Sequence, residues 1–199
     1  MKAFQKILFA IAALIFSISA MSANEAATTV TIEKFGYEKK ISVIAEQLLT
    51  TATVKVTTAG YVTLQTETST DGRFAKVFNL EQLAAGNYKI IVTMGHREIE
   101  QPFTIQSEEL AMNPDERVEY FIPTFNVKED ALDLMMLNNR LTNVDLTIMD
   151  TNGKTIFQDT MKNVIKVERR YDLHNLRNGR YLVEVKTPYK TYHKDIVVR

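Results

Sequence analysis

Histidines are the first residues to consider for chemistry, because imidazole serves both as a metal ligand and as a general base. The chain has three of them, His96, His174 and His193. Zinc sites draw on short local spacings, and no two of these histidines are that close in sequence. His96 follows Gly95 in a predicted hairpin turn, and His193 lies in the middle of a predicted strand. We therefore expect solvated or packed histidines rather than a metal site.

One acidic segment has partial likeness to a calcium loop. Residues 150–154 read DTNGK, and the hydrophobic residues Ile156 and Phe157 follow shortly after. A calcium loop needs oxygen ligands at alternate positions and a later bidentate carboxylate, which are missing here. Asn-Gly between alternating strands is instead a strong hairpin signal. The sequence predicts a plain turn here, and another at Asp71-Gly72.

Nucleophiles and carboxylate pairs complete the search for catalytic groups. Asp130 and Asp133 would form a glycosidase pair only if the fold held them about 5–10 Å apart. The serines after residue 23 are Ser42, Ser69 and Ser107, and none lies in a nucleophile elbow. No glycine-rich phosphate loop occurs. We predict no catalytic, cofactor-binding or metal-binding residues, no cofactor, and a protein that is not an enzyme.

The N-terminal segment has the layout of a secretory signal peptide. Lys2 and Lys6 precede an apolar run over residues 7–16, and small residues follow it. The run is shorter than the roughly 20 residues that a membrane span requires. We predict a signal peptide over residues 1–23, cleaved at its end or, as second choice, after Ala20. The exported chain would then not be an integral membrane protein.

Composition limits the partners. The absence of cysteine excludes disulfides and thiolate metal sites. Equal numbers of basic and acidic residues, 24 each, give no electrostatic footprint for nucleic acid. Residues 162–199 contain ten basic residues and four acidic ones. That excess could meet a surface polysaccharide, or it could simply protect the solvated edges of strands.

An internal repeat is the strongest organisational signal. Residues 78–88 read FNLEQLAAGNY, and residues 171–181, 93 positions later, read YDLHNLRNGRY. Both have an aromatic residue, two leucines, a glycine and a tyrosine in the same frame. We interpret this as a duplication. It predicts a first module over residues 24–106, whose repeat covers residues 28–105, a linker over residues 107–116, and a second module over residues 117–199.

The repeated segment also has a physical interpretation. Its leucines should enter the core, and Gly86 and Gly179 should supply backbone freedom at a bend. Tyr88 and Tyr181 then open strands of alternating apolar residues. We expect each hydroxyl to bond an upstream backbone group, as in the tyrosine corner of immunoglobulin-like sandwiches.

Period-two alternation predicts seven strands in each module, which is typical of a β-sandwich. The fold class is therefore all-β, with two tandem Ig-like or fibronectin-like antiparallel modules after the signal peptide. Two stretches favour short helices instead, residues 45–52 and 108–112. The predicted strands cover residues 30–34, 41–45, 53–58, 61–66, 74–80, 88–93 and 98–105, and then 120–127, 131–137, 145–149, 155–159, 165–173, 181–186 and 191–198.

The second module also resembles a known family. Residues 144–154 read VDLTIMDTNGK, residues 171–183 contain YDL and LRNGRYLV, and residues 194–199 read KDIVVR. In these segments, residues 123–199 resemble the C-terminal sorting domains of the bacterial type IX, or Por, secretion system. The resemblance implies a small β-sandwich that directs cargo across the outer membrane, with the outer-membrane secretion machinery as partner.

These observations favour a secreted, non-catalytic structural or interaction protein, either extracellular or at the cell surface. The alternative is a periplasmic or extracellular module that binds peptide or glycan through loops or an open sheet edge.

Overall fold

The computed structural model describes residues 28–107, 109–128 and 130–199, and this part of the chain is almost entirely antiparallel β-structure. Its single helical element is one 3-10 turn, Pro114–Glu116. The strands are β1 Thr29–Lys34, β2 Lys40–Glu46, β3 Ala52–Thr58, β4 Thr63–Ser69, β5 Phe74–Asn79, β6 Gly86–Met94, β7 Arg97–Ile105, β8 Leu110–Ala111, β9 Val118–Phe121, β10 Thr124–Lys128, β11 Ala131–Leu137, β12 Val144–Asp150, β13 Thr155–Met161, β14 Lys166–Asp172, β15 Gly179–Lys186 and β16 Thr191–Val198.

The first sandwich comprises strands β1 to β9. One sheet has the order β1-β2-β5, and the other has the order β4-β3-β6-β7-β8, with β9 also paired to β7. Alternation creates the core, since Ile41, Val43 and Ala45 of β2 are fully buried while the residues between them are not. Phe78 and Leu80 are among the largest buried side chains of this core.

The second sandwich comprises strands β10 to β16. Its sheets have the orders β10-β11-β14 and β13-β12-β15-β16, which repeat the orders of β1 to β7 in the first sandwich. A separate core contains fully buried Leu132, Leu134 and Leu146. The all-β, fibronectin-like fold class is therefore confirmed. The predicted module boundaries stay a prediction, and β9, which falls within the predicted second module, pairs with β7 of the first sandwich.

Both tyrosine corners are present. The Tyr88 hydroxyl donates to the Ala84 carbonyl oxygen at 2.8 Å, and the Tyr181 hydroxyl donates to the Arg177 carbonyl oxygen at the same distance. The turn before each tyrosine is also built alike. The backbone N–H of the second leucine donates to the carbonyl of the first, at 3.0 Å in the first sandwich and 2.9 Å in the second. The predicted tyrosine hydrogen bonds are confirmed.

The expected role of the glycines is wrong. Gly86 and Gly179 begin strands β6 and β15, and neither has a positive φ. A Cβ at Gly86 would lie 3.5 Å from the Tyr88 ring, and one at Gly179 would lie 3.9 Å from the Tyr181 ring. Both distances are ordinary contacts, so the bend does not require glycine. The tyrosine ring folds back over this position in both sandwiches.

Three other predictions need correction. The predicted strand over residues 120–127 is two strands, because Pro123 lacks an N–H for the ladder. The predicted helix over residues 45–52 consists instead of the end of β2, a bend and the start of β3. In the predicted helix over residues 108–112, Leu110–Ala111 form strand β8. The predicted signal peptide lies outside the described residues. Among the residues that are described, no helix is long and apolar enough to cross a membrane.

Candidate functional site

The histidines lie apart and have separate partners. His96 Nδ1 is 3.3 Å from the Thr124 hydroxyl, and His193 Nε2 is 2.9 Å from a carboxylate oxygen of Glu184. His174 Nδ1 lies 3.3 Å from a carboxylate oxygen of Asp130. Within residues 28–107, 109–128 and 130–199, no three metal-binding side chains come together.

The carboxylate pair considered from sequence is divided between two basic partners. Asp130 contacts His174, whereas Asp133 receives a bidentate hydrogen bond from Arg170, at 2.6 and 2.8 Å. The hydrogen bond from Arg170 holds the pKa of Asp133 below its usual value. An ionised Asp133 is poorly suited to act as a general acid.

The calcium-like segment is a turn, as predicted. The Asp150 carboxylate accepts hydrogen bonds from the backbone N–H groups of Asn152, at 2.9 Å, and Lys154, at 3.0 Å. Gly153 has φ +76°, the left-handed conformation that glycine favours. The carboxylate therefore serves the turn itself. Gly72, in the other predicted turn, also has a positive φ, +73°.

The segments that carried the family resemblance come together at one end of the second sandwich. Asp150 of β12 lies opposite Tyr181 of β15, and Tyr181 lies opposite Ile196 of β16. A shallow groove of about 330 Å³ at this end is lined by residues from all three strands, including Asp150, Tyr181 and Asp195. We call this end the signature end.

Comparison with known families identifies the type of domain that contains the signature end. Residues 126–199 match the secretion system C-terminal sorting domain. The match spans β11 to β16 and most of β10. We call residues 126–199 the sorting module. A sorting domain implies export to the cell surface or extracellular space, and contact with secretion machinery.

Solved structures with similar folds add no functional information. The chain is similar to the BSP domain of a biofilm associated protein, at 17% identity and TM-score 0.28, over 81% of this chain and 27% of that one. It is similar to the FN1–FN3 domains of chicken CNTN1, at 11% identity and TM-score 0.29, over 85% and 66%. It is also similar to the human OSCAR ligand-binding domain, at 9% identity and TM-score 0.24, over 86% and 97%. No curated protein matches the chain.

Sequence reasoning missed the junction between the sorting module and the first sandwich. Lys190 lies in the turn between β15 and β16, and its ammonium forms ion pairs with Glu98 and Glu100 of β7. The same ammonium lies 4.5 Å from the centre of the Tyr120 ring and 5.6 Å from that of Tyr61. We call Glu98, Glu100, Tyr61 and Tyr120 the junction pocket.

A second lysine supports the junction pocket from the side of the first sandwich. Lys89 Nζ lies 3.1 Å from Glu100 Oε2 and 3.8 Å from the centre of the Tyr61 ring. The Tyr61 hydroxyl also donates to Glu100 Oε2, at 3.1 Å. Although Glu100 is only 4% exposed, three donor groups surround its carboxylate, namely Lys190, Lys89 and the Tyr61 hydroxyl.

The electrostatics keep both sides of the junction charged. Burial acts to raise the pKa of Glu100, but hydrogen bonds and charges from Lys190 and Lys89 outweigh it and lower that pKa. Burial acts to lower the pKa of Lys190, but hydrogen bonds from its ammonium to Glu100 and Glu98 raise that pKa above its usual value.

The sequence predicts one feature of the junction pocket, the direction of its glutamate side chains. Glu98 and Glu100 alternate with buried Ile99 in a predicted strand, so both must point away from the core. Burial of one such glutamate, and its pairing with a lysine 90 positions later, depend on how the two sandwiches pack. Alternation within a single strand contains no such information.

Proposed function

We propose that this is a non-catalytic protein that a signal peptide exports across the inner membrane and that the sorting module directs to the cell surface or the medium. The observation that carries this proposal is the family match over residues 126–199, which lies within the paired strands β10 to β16 of the second sandwich. The first sandwich is then the cargo, acting as a structural or interaction domain.

The arrangement of the β15–β16 hairpin supports this role. Its turn contacts the first sandwich through Lys190, whereas the pair Gly179–Val198 lies at the opposite end. The hairpin has eight residue pairs, so its two end pairs lie about 24 Å apart at the rise of a β-strand. The signature end is therefore accessible to a partner while the cargo stays docked at the other end.

The non-catalytic part of the proposal rests on what the candidate residues do. Each histidine contacts a hydroxyl or a carboxylate, Asp133 is held by Arg170, and Asp150 caps its own turn. These side chains have structural partners and do not converge on a common groove.

Truncation tests the sorting role. In a host with a type IX system, we expect the full chain at the cell surface or in the medium. A chain that lacks residues 126–199 should remain in the periplasm. Immunoblots of the fractions give the distribution, and the solubility of the retained fragment separates retention from aggregation. The full chain in a host without the secretion machinery is the control. Normal export of the truncated chain would refute the proposal.

A second candidate function is binding of an extended peptide or glycan. A groove of about 580 Å³ lies beside β10 and β16, the edge strands of their sheets among the described residues, and its lining includes Phe125, Val127, Lys194 and Arg199 together with the acidic Asp130 and Asp195. Apolar groups and charges of both signs along a strand edge suit an extended ligand. Arrays of peptides and glycans test this candidate, and uniform absence of binding would count against it.

A further inference from the structure

The structure assigns a binding site for a primary alkylammonium to the junction pocket, and we infer that the chain fills it with its own Lys190. The ligand class is an ammonium on an alkyl chain, such as the side chain of a lysine. This inference concerns the first sandwich and strand β9, and it goes beyond sorting.

The pocket has the chemistry that an ammonium requires. Glu98 accepts a hydrogen bond from the Lys190 ammonium, and Glu100 forms an ion pair with it. Two aromatic rings, Tyr120 at 4.5 Å and Tyr61 at 5.6 Å, lie within cation–π range. An ammonium has three donors on a compact charge, which suits two carboxylates that converge from one strand.

The charge balance calls for one further cation. Without Lys190, the pocket contains two glutamates and Lys89, which pairs with Glu100 from the opposite side. Among the groups that contact the two carboxylates, one negative charge is then left over, since Arg140 lies against the Tyr120 ring, 5.0 Å from its centre. The side chains of Glu98 and Glu100 are 18% and 5% exposed, so neither carboxylate is well solvated, and removing the lysine that they share is costly.

The position of Tyr61 indicates that the pocket is constrained. Tyr61 has φ +65°, in the left-handed region that bulky residues avoid. Hydrogen bonds to Thr58 hold this conformation, from the Tyr61 N–H at 3.0 Å and from the Val62 N–H at 3.1 Å. The strained backbone brings the Tyr61 ring over Lys89 and its hydroxyl onto Glu100. A strained backbone conformation of this kind persists only where the surrounding contacts fix it, and such residues are concentrated at functional sites.

The ligand and the pocket come from different parts of the chain. Lys190 belongs to the sorting module, whereas Glu98, Glu100 and Tyr61 belong to the first sandwich, and Tyr120 lies on β9, which pairs with β7. Removal of the Lys190 side chain therefore removes no residue of the junction pocket, which is left for a foreign alkylammonium.

Chemical rescue of the full chain tests this inference. Lys190→Ala removes three carbons and the ammonium, and n-propylammonium supplies the same atoms. We expect the variant to melt about 5–10 °C below the unaltered chain, because a buried charge loses its partner. Millimolar n-propylammonium should recover about half of that loss through binding to the folded state. It should leave the melting temperature of the unaltered chain unchanged.

Controls separate binding from general effects. Neutral n-propanol and sodium chloride at equal concentration should not rescue Lys190→Ala. The double variant E100Q/K190A should not respond to the amine. Lys186→Ala, at an exposed lysine of the same hairpin, should melt like the unaltered chain. Equal rescue by n-propanol or salt, rescue of the double variant, or an unaltered melting temperature for Lys190→Ala would each overturn the inference.

A refolding assay covers the case in which Lys190→Ala does not fold when expressed. The full-length variant is then refolded from urea with n-propylammonium or with n-propanol. We expect a higher yield of folded protein with the amine only. Equal yields in the two additives would overturn the inference.

Discussion

At the scale of single residues, the same tyrosine hydrogen bond occurs in both sandwiches. Tyr88 and Tyr181 each close a bend through one hydrogen bond to a carbonyl four residues upstream. The junction depends in the same way on a few groups, with Lys190 and Glu100 at its centre. Substitutions at these positions separate the contribution of single atoms from that of the surrounding sheets.

Removal of the corner hydroxyls should destabilise both sandwiches. Tyr88→Phe and Tyr181→Phe each delete one hydrogen bond, which should cost about 1 kcal/mol of unfolding free energy, with the smaller loss at the more exposed Tyr181. Urea unfolding followed by circular dichroism measures the effect. Tyr37, which is 99% exposed, is the control position for Tyr→Phe. If neither variant loses unfolding free energy, the role assigned to the hydroxyls is contradicted.

The lowered pKa of Glu100 predicts how stability depends on pH. Because the folded state lowers this pKa, the contribution is complete above the usual value of about 4.3 and disappears as the pH falls through the folded value. We therefore expect the stability advantage of the unaltered chain over Glu100→Gln to shrink between pH 5 and pH 2.5. Melting temperatures across that range give the difference.

Two comparisons complete the pH experiment. Glu33→Gln, at an exposed carboxylate of β1, should give a curve parallel to that of the unaltered chain. A constant difference between the unaltered chain and Glu100→Gln down to pH 2.5 would contradict a paired, ionised Glu100. At the alkaline side the raised pKa of Lys190 acts in the opposite sense, and its contribution is lost only above the usual lysine value.

At the scale of elements, local pattern predicts strands well and connections poorly. Strand β11 has the predicted bounds, Ala131–Leu137, because buried Leu132 and Leu134 alternate with less buried neighbours. Strand β8 has only two residues and no alternation to detect. Strand β9 looks continuous with β10 in sequence, yet it pairs with β7, because the choice of sheet is made by tertiary packing. The junction pocket escaped prediction for the same reason.

Glycine substitutions test the corrected view of the turns and bends. Gly153 needs φ +76°, so Gly153→Ala should cost about 1 kcal/mol of unfolding free energy. Gly179 has no positive φ, and its new Cβ would contact the Tyr181 ring at an ordinary 3.9 Å. Gly179→Ala should therefore be neutral or stabilising. Chemical denaturation measures the unfolding free energy of the two variants. A larger loss for Gly179→Ala than for Gly153→Ala would contradict this view.

At the scale of the whole molecule, two sandwiches with the same strand order have different edges. In the first, the outer edge of β7 is paired with β8 and β9. In the second, β16 is the last strand of its sheet among the described residues. Strand β9 connects the two parts, since it pairs with β7 while Phe121 packs against the second core. The first sandwich and the sorting module thus share a covalent and electrostatic junction.

The central claim is that the sorting module acts as an export address, and transfer of that address tests it most directly. Residues 123–199, which contain the sorting module and the start of β10, are fused behind an unrelated fluorescent protein that carries a signal peptide, in a host with a type IX system. Fractionation should find the fusion at the cell surface or in the medium, and the reporter without these residues in the periplasm. A fusion that stays in the periplasm, folded and intact, while the native chain is exported from the same cells, would contradict the claim.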